Sequence, residues 1–155
     1  MDALIEQHNY VPAMSESAVE LVRRFEKLAL AMPQIGIPTD HLIHAGMYAR
    51  TIFMPKDSLV TGTLIKIATI VIMTGNTVWY VGTDEPVYRV GYHVVPASPG
   101  RKQVVIALED SYITMMSTYE GDTLEGAERN FTDEYDLLGS HNDAQCNRVL
   151  ITGEK

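Results

Sequence analysis

The sequence predicts a mainly β domain, an antiparallel sandwich or barrel carrying one helix at each end. Two observations lead there. From Leu42 onward come short β-prone runs, LIHAG, MYARTIFM, SLVTGTLIKIATIVIMT, TVWYVG, VYRVGYHVV, KQVVIAL and SYITMMSTY, each bounded by Gly, Pro, Asn or Asp. Nothing between them has helical spacing, and parallel strands would need crossover helices, so the runs pair antiparallel. The second observation is apolar spacing of a helical kind before and after that region.

The first helix is expected in SESAVELVRRFEKLALAM. Ser17 and Glu20 have the spacing of a capping box, and Val19, Val22, Phe25, Leu28, Ala29 and Met32 recur on one face. Pro33, Gly36 and Pro38 end it. Ahead of it, residues 1–14 read as an arm, with Pro12 blocking helix growth from that side. Within the β region, Thr74-Gly75-Asn76-Thr77 reads as a tight hairpin connection and Ser98-Pro99-Gly100-Arg101 as a turn. After it, Asp122 or Thr123 opens a second helix with Leu124, Ala127, Phe131, Tyr135 and Leu138 inward, ended by Gly139. The tail, residues 140–155, is polar until Arg148-Val149-Leu150-Ile151-Thr152. That run has strand composition and needs a sheet edge, in its own barrel or on a neighbouring subunit.

One domain over residues 15–139 fits a chain of 155 residues that is 46% apolar and 21% charged. A net charge of −8 opposes nucleic acid and anionic membranes as partners, since both require a basic face. The lone Cys146 excludes an internal disulfide. The amino terminus lacks the pattern of a secretory signal, and no run reaches membrane-spanning length, so a soluble protein is expected. The acidic stretch from Glu109 to Asp136 reads as a solvated face.

Residues 42–119 resemble the cupin barrel, a small double-stranded β-helix or jelly roll. The resemblance rests on two β-motifs, the first closing on Thr74-Gly75, the second built on Gly91, Pro96, Pro99 and Gly100 as architectural turns. HAGMYARTIFMPKD, the strand holding Gly62 and Lys66, GYHVVPASPGRKQ and ALEDSYITMM are similar to small cupin-like proteins encoded by tailed bacteriophages. FTDEYDLL looks like that group too. In the wider cupin superfamily two His, a carboxylate and a later His converge on a divalent metal. Here the window of the first motif, TGTLIKIATIVIM, holds no His, Asp or Glu. In the second, Gln103 stands at the His position and Ala107 at the Asn position.

The expectation is therefore a barrel without cofactor, metal or catalytic residues. His41 and His44 are three apart, on opposite faces of a strand, and His8, His93 and His141 are isolated; all read as structural or surface histidines. A metal-free sugar chemistry would have to use His93 with Tyr92, Tyr48 or Glu109, although Glu109-Asp110 reads more simply as a charged rim. Arg50, between apolar neighbours, calls for a partner or an outward side chain. Arg101-Lys102 reads as a solvated turn, with anion binding or pairing to a neighbour's acidic patch as the alternative. Arg50, Tyr92, His93, Gln103 and Glu109 are the candidate pocket or interface residues.

The resemblance, the emptied ligand positions and the extensions at both ends, suited to clasping neighbours, together lead to the expectation of a non-enzymatic phage structural protein, a virion component made in the host cytoplasm. As a capsid decoration or cement protein, or an accessory head or tail protein, it would partner itself, as dimer or trimer, and the major capsid protein or tail components. The alternatives are a degenerate cupin enzyme acting on a small metabolite or sugar, and a carbohydrate-binding module stacking sugars on Trp79, Tyr80, Tyr88 or Tyr92.

Overall fold

The computed structural model describes residues 9–155. It begins with helix α1, Glu16–Leu30. Ser15, extended at φ −65° and ψ 159°, caps it by accepting the amide of Ala18 at 3.2 Å. The cap therefore lies two residues before the expected Ser17, which sits inside the first turn. Only part of the expected inward face is buried: Ala18, Val19 and Val22 pack, while Phe25, Leu28 and Met32 are exposed. The helix meets the barrel with its first two turns, and Leu21, Phe25 and Leu28 form an uncovered apolar stripe.

Eight strands follow: β1 Thr39–His44, β2 Met47–Met54, β3 Leu59–Thr61, β4 Thr69–Tyr80, β5 Val87–Ala97, β6 Val104–Ala107, β7 Ser111–Thr118 and, after two short helices, β8 Asn147–Ile151. They make one sheet in the order β3-β6-β4-β7-β2-β1-β8, with β5 on the other side of β4. All pairs are antiparallel except β1 with β8, which is parallel. The tail strand thus closes on its own sheet.

The expected hairpin at Thr74–Thr77 is absent, because β4 runs straight through it. Its first half pairs with β7 and its second half with β6, and Gly75 lies where the partner changes. Gly75 has φ 134°, and a Cβ there would stand 2.6 Å from Cβ of Ser111. Only glycine allows that approach, so the residue bends a strand instead of reversing it. Gly91, at φ 89°, is its register partner inside β5 and likewise no turn. Pro96 also lies within β5, tolerated because β5 is an edge strand. The Pro99-Gly100 turn is present, with Gly100 at φ 84° and its amide donating to Ile65 O at 2.7 Å.

The second helix, α2, spans Leu124–Phe131 and is capped by Thr123, whose Oγ1 accepts from Gly126 at 3.0 Å. It ends earlier than expected. Thr132 turns extended and its hydroxyl donates to Leu64 O at 2.7 Å, tying the chain to the barrel. A 3₁₀ turn, Tyr135–Leu137, and a short helix α3, Gly139–Asn142, follow, so Gly139 starts a helix instead of ending one. The expected inward set is inward: Leu124, Ala127, Phe131, Tyr135 and Leu138 all pack with Ile43 and Tyr48 in one core cluster. A second cluster, around Met54, Met73, Trp79, Val95 and Val105, fills the other half of the inner sheet face. Of the arm expected over residues 1–14, only the end from Asn9 is described; there Val11 bridges Ala97 on the β5 edge.

Candidate functional site

On the inner sheet face, a polar set joins β1, β2, β8, α2 and α3. His41 and Tyr48 are buried there, 2.6 Å apart between Nδ1 and the phenol oxygen. His41 Nε2 meets Asn147 Oδ1 at 2.8 Å, and Asn147 Nδ2 donates to Ser140 O at 2.8 Å. That last bond fixes the amide, so Nε2 carries the proton and Nδ1 accepts from Tyr48. Burial holds His41 below the ordinary histidine pKa, partly offset by the bond to Asn147, and pushes Tyr48 up to about 12. Both groups are neutral near pH 7.

Arg50 has the carboxylate its setting demanded. Its Nη1 donates to Ser140 Oγ at 2.8 Å and stands 3.8 Å from Glu128 Oε2, while Ser140 Oγ donates to the same Glu128 oxygen at 2.8 Å. Glu128 is buried, unlike the solvated acidic face expected of it. Phe131 lies beneath both Arg50 and Tyr48, with ring contacts at 5.8 and 6.1 Å. These groups consume one another's hydrogen-bonding capacity, and the arrangement docks α2 and the tail onto the sheet.

A second charged set does the same for the other end. Arg101 and Lys102, expected to be a solvated turn, are buried. The Lys102 amine, 0% exposed, stands 3.2 Å from Glu26 on α1 and 3.6 Å from Glu134 beyond α2. Arg101 donates to Ser98 O at 2.8 Å and Thr69 Oγ1 at 2.7 Å, and burial lowers its pKa to about 10. Apart from Ser98, their partners are distant in sequence, so local polarity could not reveal them.

The other candidates are not gathered together. His93 Nε2 donates locally to Val90 O at 2.8 Å. Glu109 is a rim residue 3.6 Å from Lys56, and Tyr92 is exposed on the outer face. Gln103 is buried with Nε2 unpartnered among the described residues, and Ala107 is core. His44 bonds Thr152, His141 packs edge-on to Tyr135, and His8 lies outside the described residues. Cys146 has its thiol pKa raised by the bond to Asp143. Among the described residues, no three His, Cys, Asp or Glu side chains converge as a metal would require. One residue the sequence reading missed is Arg89, 1% exposed, its guanidinium 4.9 Å over Trp79 and lowered by burial to a pKa of about 10. Its Nη2 donates to Tyr10 O at 3.3 Å, but Nε and Nη1 have no partner among the described residues.

The outer face differs in kind. Side chains in register run across it in rows: Tyr88, Val78, Ile106 and Leu59; then Tyr92, Thr74, Tyr112 and Phe53; then Val94, Ile72, Thr114 and Thr51. None of the outward residues of β3 to β7 is charged. Tyr92 is 70% exposed, Val90 64% and Tyr88 59%. A one-sided antiparallel sheet ordinarily turns polar residues to solvent. At one margin an open groove of about 470 Å³ lies between Phe53 and Tyr112 and the Asp40–Arg148 pair, with Gln145 and Asn147 on its wall.

Fold and faces together define a mainly β, cupin-like barrel with helices at both ends. The chain is similar to a cupin superfamily protein from Desulfitobacterium hafniense, at 11% identity over 59% of this chain and 87% of that one, TM-score 0.46. It is similar also to an RmlC-like cupin with a double-stranded β-helix fold from Methanocaldococcus jannaschii, at 10% identity over 57% and 86%, TM-score 0.46. A third likeness is to KdgF from Halomonas sp., at 16% identity over 60% and 88%, TM-score 0.46. No known family profile and no curated protein matches the sequence. Among the described residues, no helix is long and apolar enough to cross a membrane.

Proposed function

We propose that this chain is a non-enzymatic assembly module, a structural subunit incorporated in a tailed-phage virion as a decoration or accessory head or tail protein. The observation that carries the reading is the uncharged, solvent-facing outer sheet. Exposed contiguous apolar surface of this extent marks a surface that meets another protein. The uncovered stripe Leu21, Phe25 and Leu28 on α1 offers a second contact surface, as a subunit with more than one neighbour needs. On the inner face, the buried polar side chains His41, Tyr48, Arg50 and Glu128 are paired with one another and with Ser140 and Asn147, which supports a barrel used for its shape. The phage assignment is supported by the wording of residues 42–119 and its resemblance to phage-encoded proteins. Mass spectrometry of purified particles tests it: the protein is expected in virions at stoichiometric level, and abundance in infected-cell lysate with absence from particles contradicts the reading.

One observation favours a second reading, carbohydrate binding. The groove beside Phe53 and Tyr112 combines an aromatic wall, ring centroids 5.0 Å apart, with the planar polar groups of Asp40 and Arg148. Trp79, buried in the core, takes no part. Glycan binding by the purified chain, abolished by Asp40→Ala, would support this reading; no binding across a broad glycan set would dismiss it.

A further inference from the structure

We infer that α1 docks an amphipathic helix of a second protein along Leu21, Phe25, Leu28 and Met32, a helix whose own apolar seam is flanked by carboxylates. The inference rests on the assembly reading and names the kind of neighbour this helix meets.

Spacing is the first argument. α1 carries two apolar faces, and the barrel uses one of them. Ala18, Val19 and Val22 are buried there, and Glu26 follows on the same face, bonded to Thr61 Oγ1 at 3.1 Å and Lys102 Nζ at 3.2 Å. Leu21, Phe25, Leu28 and Met32 are separated by four, three and four residues, the alternation of d and a positions in a heptad repeat. At 3.6 residues per turn they stay within about 60° of arc, centred roughly 100° from the buried face. The barrel therefore covers one face and leaves the other. Leu21 is 52% exposed, Leu28 69% and Met32 66%. Ala31 stays helical and the Met32 amide donates to Ala29 O at 3.0 Å, which carries the seam two residues past Leu30. A stripe this narrow has the shape that another helix fills, its side chains seated as knobs in holes. Its length is about 16 Å, matching a partner helix of three to four turns.

Charge is the second argument, and it chooses the occupant. The e positions beside the seam, on the barrel side, are Val22 and Ala29; the g positions, on the open side, are Ser17, Arg24 and Ala31, with Lys27 in the adjoining row. Arg24 and Lys27 are exposed and make no ion pair among the described residues. They sit beside the second half of the seam, Phe25 to Met32, whereas Glu20 sits beside the first. On a chain of net charge −8 this flank is locally cationic. Flanking charges decide which helices pair, so carboxylates opposite Arg24 and Lys27 attract and lysines there repel. A second copy of α1 brings no carboxylate at its e and g positions and adds another net −8, which disfavours it as the occupant.

Fluorescence anisotropy of the full chain with two labelled three-heptad peptides tests the inference. Both peptides carry Leu at a and d; one has Glu and the other Lys at every e and g, charges that keep each from pairing with itself. The Glu peptide is expected to bind, and the Lys peptide at least tenfold more weakly. Leu28→Glu, an exposed helical position that tolerates the change, is expected to weaken the Glu peptide by about thirtyfold or more, because it puts a charge in the middle of the contact. Arg24→Glu is expected to narrow the preference between the two peptides. A photo-crosslinker on the Glu peptide gives a readout that needs no variant: in the wild type it should mark the segment from Leu21 to Met32. No binding of either peptide, equal binding of both, binding indifferent to Leu28→Glu, or crosslinks confined to the sheet would each overturn the inference. So would a doubled sedimenting mass of the chain alone that Leu28→Glu abolishes, since that seats a second copy on the seam. Peptide binding as expected with the protein absent from particles would overturn the virion reading alone, and incorporation into particles without peptide binding would overturn this inference alone.

Discussion

Lys102 and Glu26, 76 residues apart in sequence, meet at 3.2 Å with the lysine amine wholly buried. That contact, completed by Glu134 at 3.6 Å and by Gly62 O at 3.0 Å, joins α1, the barrel and the segment after α2. Removing the lysine takes away the cation that Glu26 and Glu134 share, leaving Glu134 only Arg23 at 3.9 Å. Lys102→Ala is expected to cost about 3 kcal/mol in urea unfolding, and Glu26→Gln about 1 kcal/mol, since Glu134 still compensates the amine. Equal losses would mean that Glu134 does not share the charge.

The bend at Gly75 gives a second prediction. Gly75→Ala puts a methyl group against Ser111 and forces an alanine to φ 134°, so a loss of about 2–4 kcal/mol is expected. Gly91→Ala meets nothing within 4 Å and bears only the strain of φ 89°, for about 1–2 kcal/mol. Thermal unfolding of the two variants ranks them.

His41 makes stability depend on pH. Burial holds its folded pKa below the ordinary 6.5, so the folded state disfavours the charged ring. The unfolded chain takes up the proton first as pH falls, and stability contributed by neutral His41 is full above about pH 6.5 and lost below it, down to the folded pKa. Chemical denaturation between pH 7.5 and 5 should show this fall, and His41→Gln should flatten it. An unchanged slope in the variant would assign the effect to another group.

The tail strand is held by its own chain. β8 pairs with β1, Arg148 makes a double hydrogen bond to Asp40 at 2.8 and 2.7 Å, and Asn147 caps His41. Deleting residues 147–155 should therefore lower the unfolding midpoint of the isolated chain without changing its sedimenting mass. A change in mass with an unchanged midpoint would place the tail on a neighbour instead.

Much of this architecture is legible in the sequence. The strand-forming runs, the Thr123 cap and the inward set from Leu124 to Leu138 follow local rules of spacing and capping, and such rules act within a few residues. The barrel's polar seams do not. Whether Lys102 or Glu128 is solvated depends on Glu26, Glu134, Arg50 and Ser140, groups brought close only by the completed sheet. Gly75 shows the same limit: a glycine beside Asn at a hairpin-like spacing is locally indistinguishable from a turn, and only Ser111 across the sheet makes it a bend. The outer face was visible in part. The alternation of Tyr88, Val90, Tyr92 and Val94 is plain in β5, but their shared face with Ile106 and Tyr112 needed the strand order.

The central claim is that this barrel works through its outer sheet face and not through its inner one. Particle incorporation of two variants tests it most directly. Tyr92→Glu alters the exposed sheet face, and Arg50→Met paired with Glu128→Gln neutralises the buried inner set. Quantified by mass spectrometry of purified virions, Tyr92→Glu should fall to background while the inner-face variant stays near wild-type occupancy. Undiminished incorporation of Tyr92→Glu, with loss of a folded inner-face variant, would contradict the account.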